Sequence, residues 1–225
     1  MKILVIGAHG QIGRQLVQIL QAKENCQVIA GLRSASQQEE YQQQNIMTAY
    51  VDLTKEQAQL EQVMQGVDVV VFAAGSGGKT GADATMMIDL DGAVKAINAA
   101  EKTNVSRFIM ISSIKANDRG FWSDNVPPRA PESYYYAAKY YADEWLLHSS
   151  LDYTILRPAR LINQPATGKI QIASQLTQSI DDISITRADV AETVATIIES
   201  SRLHKQQFDL ASGDTPIAQA VEQFN

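Results

Sequence analysis

Tyr135 and Lys139 stand four residues apart in the run Tyr134-Tyr135-Tyr136-Ala137-Ala138-Lys139. On a helix that spacing puts the two on one face, which neither Tyr134 nor Tyr136 shares with the lysine in the same way. An ammonium held beside a phenol favours the ionised form and brings the hydroxyl toward general acid–base work. The same lysine has the reach to bond ribose hydroxyls. A packed tyrosine with a solvated lysine is the plain structural alternative. Ser112 and Ser113 close the apolar run Phe108-Ile109-Met110-Ile111. One serine can hydrogen-bond a substrate carbonyl or hydroxyl and the other can cap the strand.

A second set of residues suits an anion. Met1 to Leu20 reads as an apolar run, a turn through Gly7, Gly10 and Gly13, and a periodic segment with Leu16, Val17, Ile19 and Leu20. That is a strand–loop–helix unit able to hold a pyrophosphate at a helix N-terminus. Gly7 allows the tight turn, Gly10 lets the backbone approach the phosphates, and Gly13 lets helix and strand pack. The spacing is G-x-x-G-x-x-G, and its position after a strand and before a helix is what gives it weight. After the second apolar run comes Gly31-Leu32-Arg33-Ser34, with no acidic residue at its tip. An arginine there suits a 2′-phosphate where an acid would suit free ribose hydroxyls, so NADP is expected rather than NAD. Asp52-Leu53 follows the third strand, where a carboxylate could accept from the adenine amino group. His9 lies inside the glycine loop; His148 and His204 fall near helix ends, and three scattered histidines make no metal site.

These residues need a sheet with turns at one edge, and the chain supplies strands and helices in alternation. Strands are expected at 3–6, 27–31, 46–51, 68–74, 108–111 and 153–156, the last stopped by Arg157-Pro158. Helices are expected over 56–64, 83–102, 132–149 and 187–200, with 34–45 a polar surface segment. The run Asp68 to Ala74 is apolar almost throughout, as a strand covered on both faces should be. Alternation of this kind builds a parallel sheet by right-handed crossovers. The fold class is therefore α/β, a Rossmann-type doubly wound parallel sheet. It forms a single domain over 1–225, with a dinucleotide-binding core at 1–158 and a short C-terminal substrate or lid region at 159–225. That region is expected to hold short strands at 169–172 and 184–185, a last strand at 208–210 and a helix at 217–224.

Composition narrows the function classes. The chain has 225 residues, is 45% hydrophobic and carries a formal net charge of −6, which argues against a general nucleic-acid or anionic-membrane surface. Its one cysteine, Cys26, rules out an internal disulfide. No signal peptide precedes the first strand and no apolar run approaches bilayer length, so the expected location is the cytoplasm. The expected partner is a small-molecule substrate, with no nucleic acid and no membrane. The helices at 83–102 and 132–149 are expected to lie side by side, which leaves a monomer or a homodimer.

With these marks in hand, the sequence resembles the short-chain dehydrogenase/reductase superfamily. It is most similar to the atypical and extended branch of epimerase/dehydratase-like and NmrA-like proteins. The likeness rests on Gly7-Ala8-His9-Gly10-Gln11-Ile12-Gly13, Asp52-Leu53, Ala73-Ala74-Gly75, Asp89-Leu90-Asp91-Gly92, Ser112-Ser113, Tyr135 to Lys139, Leu156-Arg157-Pro158 and Thr186 to Ala191. The resemblance implies that the glycine loop, with His9, Gln11 and Ile12, holds the pyrophosphate and Arg33 the adenosine phosphate. Asp52 and Leu53 would flank adenine, and Ala73, Ala74 and Gly75 lie along the adenosine ribose. Ser113 would polarise substrate, Tyr135 transfer the proton, Lys139 hold the nicotinamide ribose, and Pro158 and Ala159 support the nicotinamide. Where full members carry a helix asparagine, this chain has Asp89, and a carboxylate cannot donate as an amide does. The function implied is an NADP-dependent oxidoreductase passing hydride to or from a small carbonyl, quinone or flavin-like substrate. The alternatives are an epimerase or dehydratase using bound NAD(P), or a non-catalytic NmrA-like dinucleotide sensor.

Overall fold

A computed structural model describes residues 1–77, 80–124 and 133–224. Strands are β1 (Lys2–Ile6), β2 (Gln27–Leu32), β3 (Met47–Tyr50), β4 (Val69–Phe72), β5 (Arg107–Ile111), β6 (Tyr153–Pro158), β7 (Arg160–Ile162), β8 (Lys169–Ala173), β9 (Ser184–Thr186), β10 (Gln206–Ser212) and β11 (Thr215–Pro216). Helices are α1 (Gln11–Gln21), α2 (Ala35–Gln42), α3 (Gln57–Val63), α4 (Ala82–Thr85), α5 (Asp91–Lys102), α6 (Ser133–Leu147), α7 (Arg187–Glu199) and α8 (Ile217–Gln223). Wide π-helical turns occupy Met86–Leu90 and Gly120–Asp124.

The main sheet has the order β11-β8-β10-β6-β5-β4-β1-β2-β3. From β10 to β3 every neighbouring pair is parallel, and β8 and β11 add an antiparallel edge. The chain moves outward from β1 through β2 to β3, then returns to place β4 on the other side of β1. That reversal is the switch point at which open α/β sheets bind ligands, outside the carboxyl ends of the strands. Alternation along β1 sends Ile3 and Val5 into one core with α1, α7 and α8, and Leu4 and Ile6 into another with α3, α5 and α6. Every side chain from Ile3 to Ile6 is fully buried, which explains a strand apolar at consecutive positions.

Three expectations need correction. β6 does not stop before Arg157 but runs through Pro158. Arg157 lies opposite Asp209 in the β6–β10 register, and its Nε donates to Asp209 Oδ1 at 2.9 Å. With the charge compensated inside the sheet, a buried arginine no longer breaks the strand. The segment at 208–210 is not a terminal strand but the middle of seven-residue β10, which sits inside the main sheet beside β6; β7 and β9 pair separately. The helix at 83–102 is not uniform either. It opens as α4, widens through the π turn at Met86–Leu90 and continues as α5. The proline loop of Pro127, Pro128 and Pro131, the helix start at Glu132, and Gly78 and Lys79 of the loop after β4 lie outside the described residues. No described helix is long and apolar enough to cross a membrane.

Candidate active site and dinucleotide crevice

The turn after β1 is built as its glycines require. Gly7 has φ +83°, and a side chain there would stand 2.7 Å from the backbone of Ala74 at the end of β4. A Cβ on Gly13 would collide with the Gly7 carbonyl oxygen, so Gly13 sets how closely α1 lies on β1. Gly10 caps α1 without a side-chain bond, and the first turn of α1 holds no acidic residue. By contrast, Ser34 caps α2 and Thr186 caps α7 with their own hydroxyls. The N–H groups at the start of α1 thus have no side-chain cap.

A crevice of about 360 Å³ opens at this point, directly over the switch between β1 and β4. It gathers Gly7, His9, Gly10, Arg33, Asp52, Leu53, Ala73, Ala74 and Gly75 from the four turns that follow β1, β2, β3 and β4. The guanidinium of Arg33 has no partner among the described residues, and Gln37, whose side chain accepts from the Arg33 N–H at 3.2 Å, lines the same crevice. Asp52 holds its own loop, accepting from the Thr54 hydroxyl at 2.7 Å and its N–H at 3.0 Å. The Thr54 hydroxyl is the main cause that keeps this carboxyl below its ordinary range. Gln11, Ile12 and Gly13 do not line the crevice: Gln11 is exposed on α1, Ile12 points into the core, and Gly13 packs on Gly7. His9 is not a free loop histidine but contacts the Arg14 guanidinium and lies 3.4 Å from Glu40. The uncapped helix end, the open glycine turn and the unpaired Arg33 fit a phosphorylated dinucleotide.

A second cavity, of about 460 Å³, lies at the carboxyl ends of β5 and β6. It brings together Ser113, Tyr135, Pro158 and Ala159. Ser112 lines the cavity as well, and the two serines differ in what their hydroxyls meet. Ser112 is buried and its Oγ donates to Asp143 at 2.8 Å, whereas Ser113 has among the described residues only a long 3.5 Å contact to the Ile114 carbonyl.

Lys139 lines neither cavity. It lies behind Tyr135, 4% exposed, and donates to the Ile111 carbonyl at 3.1 Å while standing 3.6 Å from Asp89 Oδ1. Burial works against its ammonium, but the neighbouring Tyr135, Asp89 and Asp143 outweigh that and leave the group above the ordinary lysine value. Asp89 is delivered by the π turn and also accepts from the Ser76 N–H at 2.9 Å. Wide helical turns of this kind recur at functional sites. Asp143, one turn beyond Lys139 on α6, carries no sequence signal of its own. Burial pushes its carboxyl up to about 6, against the Ser112 hydroxyl and the charges of Arg157 and Lys139, and its Oδ1 has no partner among the described residues. The i, i+4 step from Lys139 was the available clue to it.

The profile of the NAD(P)H-binding family matches residues 7–201. An uncharacterized sugar epimerase of Bacillus subtilis, YhfK, is 39% identical to this chain over the full length of both. A solved structure described as a putative NAD-dependent epimerase/dehydratase from Bacillus halodurans superposes with a TM-score of 0.89 at 37% identity, again over the whole of both chains. The anaerobillin reductase ChuY of Escherichia coli O157:H7 superposes with a TM-score of 0.80 at 26% identity, over 95% of this chain and 98% of that one.

Proposed function

The chain belongs to the NAD(P)H-binding family, and on that premise we propose that it is an NADP-dependent oxidoreductase acting on a small carbonyl, quinone or flavin-like substrate. The observation that carries this reading is the meeting of Tyr135 and Ser113 in one cavity, with the buried Lys139–Asp89 pair behind the tyrosine. The reading is also supported by its similarity to a protein described as a reductase.

The cofactor, when bound, supplies or takes up the hydride. The chain does the rest. The open start of α1 and the glycine turn bind the pyrophosphate, and Arg33 takes the 2′-phosphate. Ser113 Oγ donates a hydrogen bond to the substrate oxygen and so favours the charge that develops there. Tyr135 Oη hands that oxygen its proton in reduction and takes it back in oxidation. Lys139 holds a positive charge behind the phenol. Asp89 keeps that charge in place as an acceptor, a role in which a carboxylate serves and a donor amide is not needed.

Two measurements test this. NADPH oxidation is followed with a panel of aldehydes, quinones and flavins, and turnover is expected with at least one class. Fluorescence titration is expected to give tighter NADPH than NADH binding, with Arg33→Ala losing roughly tenfold or more on NADPH alone. Equal losses for both cofactors would overturn the Arg33 assignment. Dinucleotide binding without turnover of any class would move the weight to the sensor reading.

A further inference from the structure

We infer that the substrate taken by the cavity of Tyr135 and Ser113 carries an anionic group, a carboxylate or a phosphate monoester, which Arg160 and Arg187 receive. The inference rests on reading that cavity as the place where substrate meets Tyr135. The chain has a net charge of −6, yet two arginines line this one cavity. Arg160 is exposed, and its guanidinium has no partner among the described residues. Among the described residues Arg187 donates only to the side-chain oxygen of Asn163, at 2.9 Å, a neutral amide that leaves its charge uncompensated. Asp181 lines the cavity as well, but it forms no ion pair with either arginine among the described residues.

Other arginines of the molecule are visibly employed. Arg14 pairs with Glu40 and Arg157 with Asp209. Arg107 is spent on the carbonyls of Ile197, Ser200 and Arg202, and Arg119 lies over the rings of Trp122 and Tyr140. The unengaged guanidinium of Arg33 faces the crevice assigned to the adenosine phosphate. The same condition at the reacting end calls for a second anion.

Local structure places both arginines deliberately. Arg160 opens β7, which pairs in parallel with β9 so that Arg160 lies opposite Ser184 and Ile162 opposite Thr186. Arg187 follows directly as the first residue of α7. The two therefore stand at opposite ends of one short ladder, roughly 10 Å apart along it at about 3.3 Å per residue. Pro158 and Ala159 line the wall beside them. A planar guanidinium fork matches carboxylate and phosphate oxygens alike, so a charged head would be held while the carbonyl reaches Tyr135.

The test measures binding, so that it does not depend on turnover. Calorimetry on the NADP-saturated protein compares 4-formylbenzoate, 4-formylphenyl phosphate and the uncharged methyl 4-formylbenzoate. At least one anion is expected to bind ten times or more tightly than the ester, and which one does identifies the head group. Its advantage should shrink with added salt, as an exposed charge contact must. In Arg160→Gln/Arg187→Gln, checked for folding by circular dichroism and for unchanged NADPH binding, that anion should fall to the ester's affinity. Equal affinity of all three probes for the unaltered protein, or an advantage that survives the double substitution, would overturn the inference. Hydride transfer is read separately from NADPH oxidation: selective anion binding without oxidation would count against the oxidoreductase reading alone.

Discussion

Asp143 is a buried carboxyl one turn along α6 from Lys139. Its folded value of about 6 lies above the ~3.9 of a carboxyl in an unfolded chain. The native state therefore holds the extra proton. The stability this group contributes is complete below about pH 4 and is lost as pH rises through about 6. Asp143→Asn removes that loss and can keep the oxygen that Ser112 bonds. Denaturation at several pH values should show the variant gaining on the unaltered protein by on the order of 2–3 kcal/mol between about pH 4 and pH 7.5; a constant gap would contradict the assignment. Lys139→Met acts in the opposite sense, because it leaves Asp89 buried without its cation. A loss of about 3–5 kcal/mol is expected by chemical denaturation, and an unchanged midpoint would show that the pair holds nothing together. Single residues were unevenly legible in the sequence. Tyr135, Ser113 and Arg33 announce themselves by spacing or by standing at a strand tip. Asp89 and Asp143 did not show what they would touch, because a one-dimensional pattern marks a helix face but not what a neighbouring loop presses against it. Arg160 was missed for a plainer reason: β7 is three residues long and too short for any periodicity to mark, while Arg187 opens an expected helix whose period does not say which cavity its first residue meets.

At the scale of elements, the glycine turn separates two jobs that its even spacing hides. A Cβ at Gly10 would meet the Gly7 carbonyl oxygen at 3.1 Å, a contact that a small shift relieves, whereas one at Gly13 collides with that oxygen and crowds Ala8 at 2.9 Å. Gly10→Ala should therefore fold and weaken NADPH and NADH together, since it narrows the approach to phosphate. Gly13→Ala should lower the melting temperature, because α1 must lift from β1. Thermal melts and cofactor titrations on both variants check this; the reverse assignment of effects would refute it. The sequence pattern marked where strands and helices lie because buried strands and amphipathic helices carry their periods locally. It could not mark the π turn at Met86–Leu90, since one widened turn barely alters the spacing of Ile88, Leu90 and the apolar residues of α5. Nor could it carry β6 through Arg157: the carboxylate that makes that arginine tolerable sits 52 residues away, on β10.

For the whole molecule, the strand order matters more than any single motif. The reversal between β1 and β4 creates the crevice, and the adjoining ends of β5 and β6 create the second cavity. Alternation of elements in the sequence implied such a sheet, but not that β10 and β8 would extend it, because short strands near a chain's end declare no neighbour. On the face formed by the π turn, α5 and α6, Met86, Met87, Tyr141 and Trp145 are each more than 40% exposed. We propose a homodimer through this face. Light scattering should give a dimeric mass that falls to the monomer in Trp145→Glu, and a monomeric mass at working concentration would remove the proposal. In the proposed reaction Tyr135 moves the proton of a hydride transfer on bound NADP(H). Its most direct test is the turnover of Tyr135→Phe, with NADPH affinity measured on the same sample and Tyr134→Phe as the control. NADPH oxidation should fall by roughly 100-fold or more while NADPH affinity stays within about twofold, and the control should keep its activity. Full activity in Tyr135→Phe would show that Tyr135 does not carry the proton.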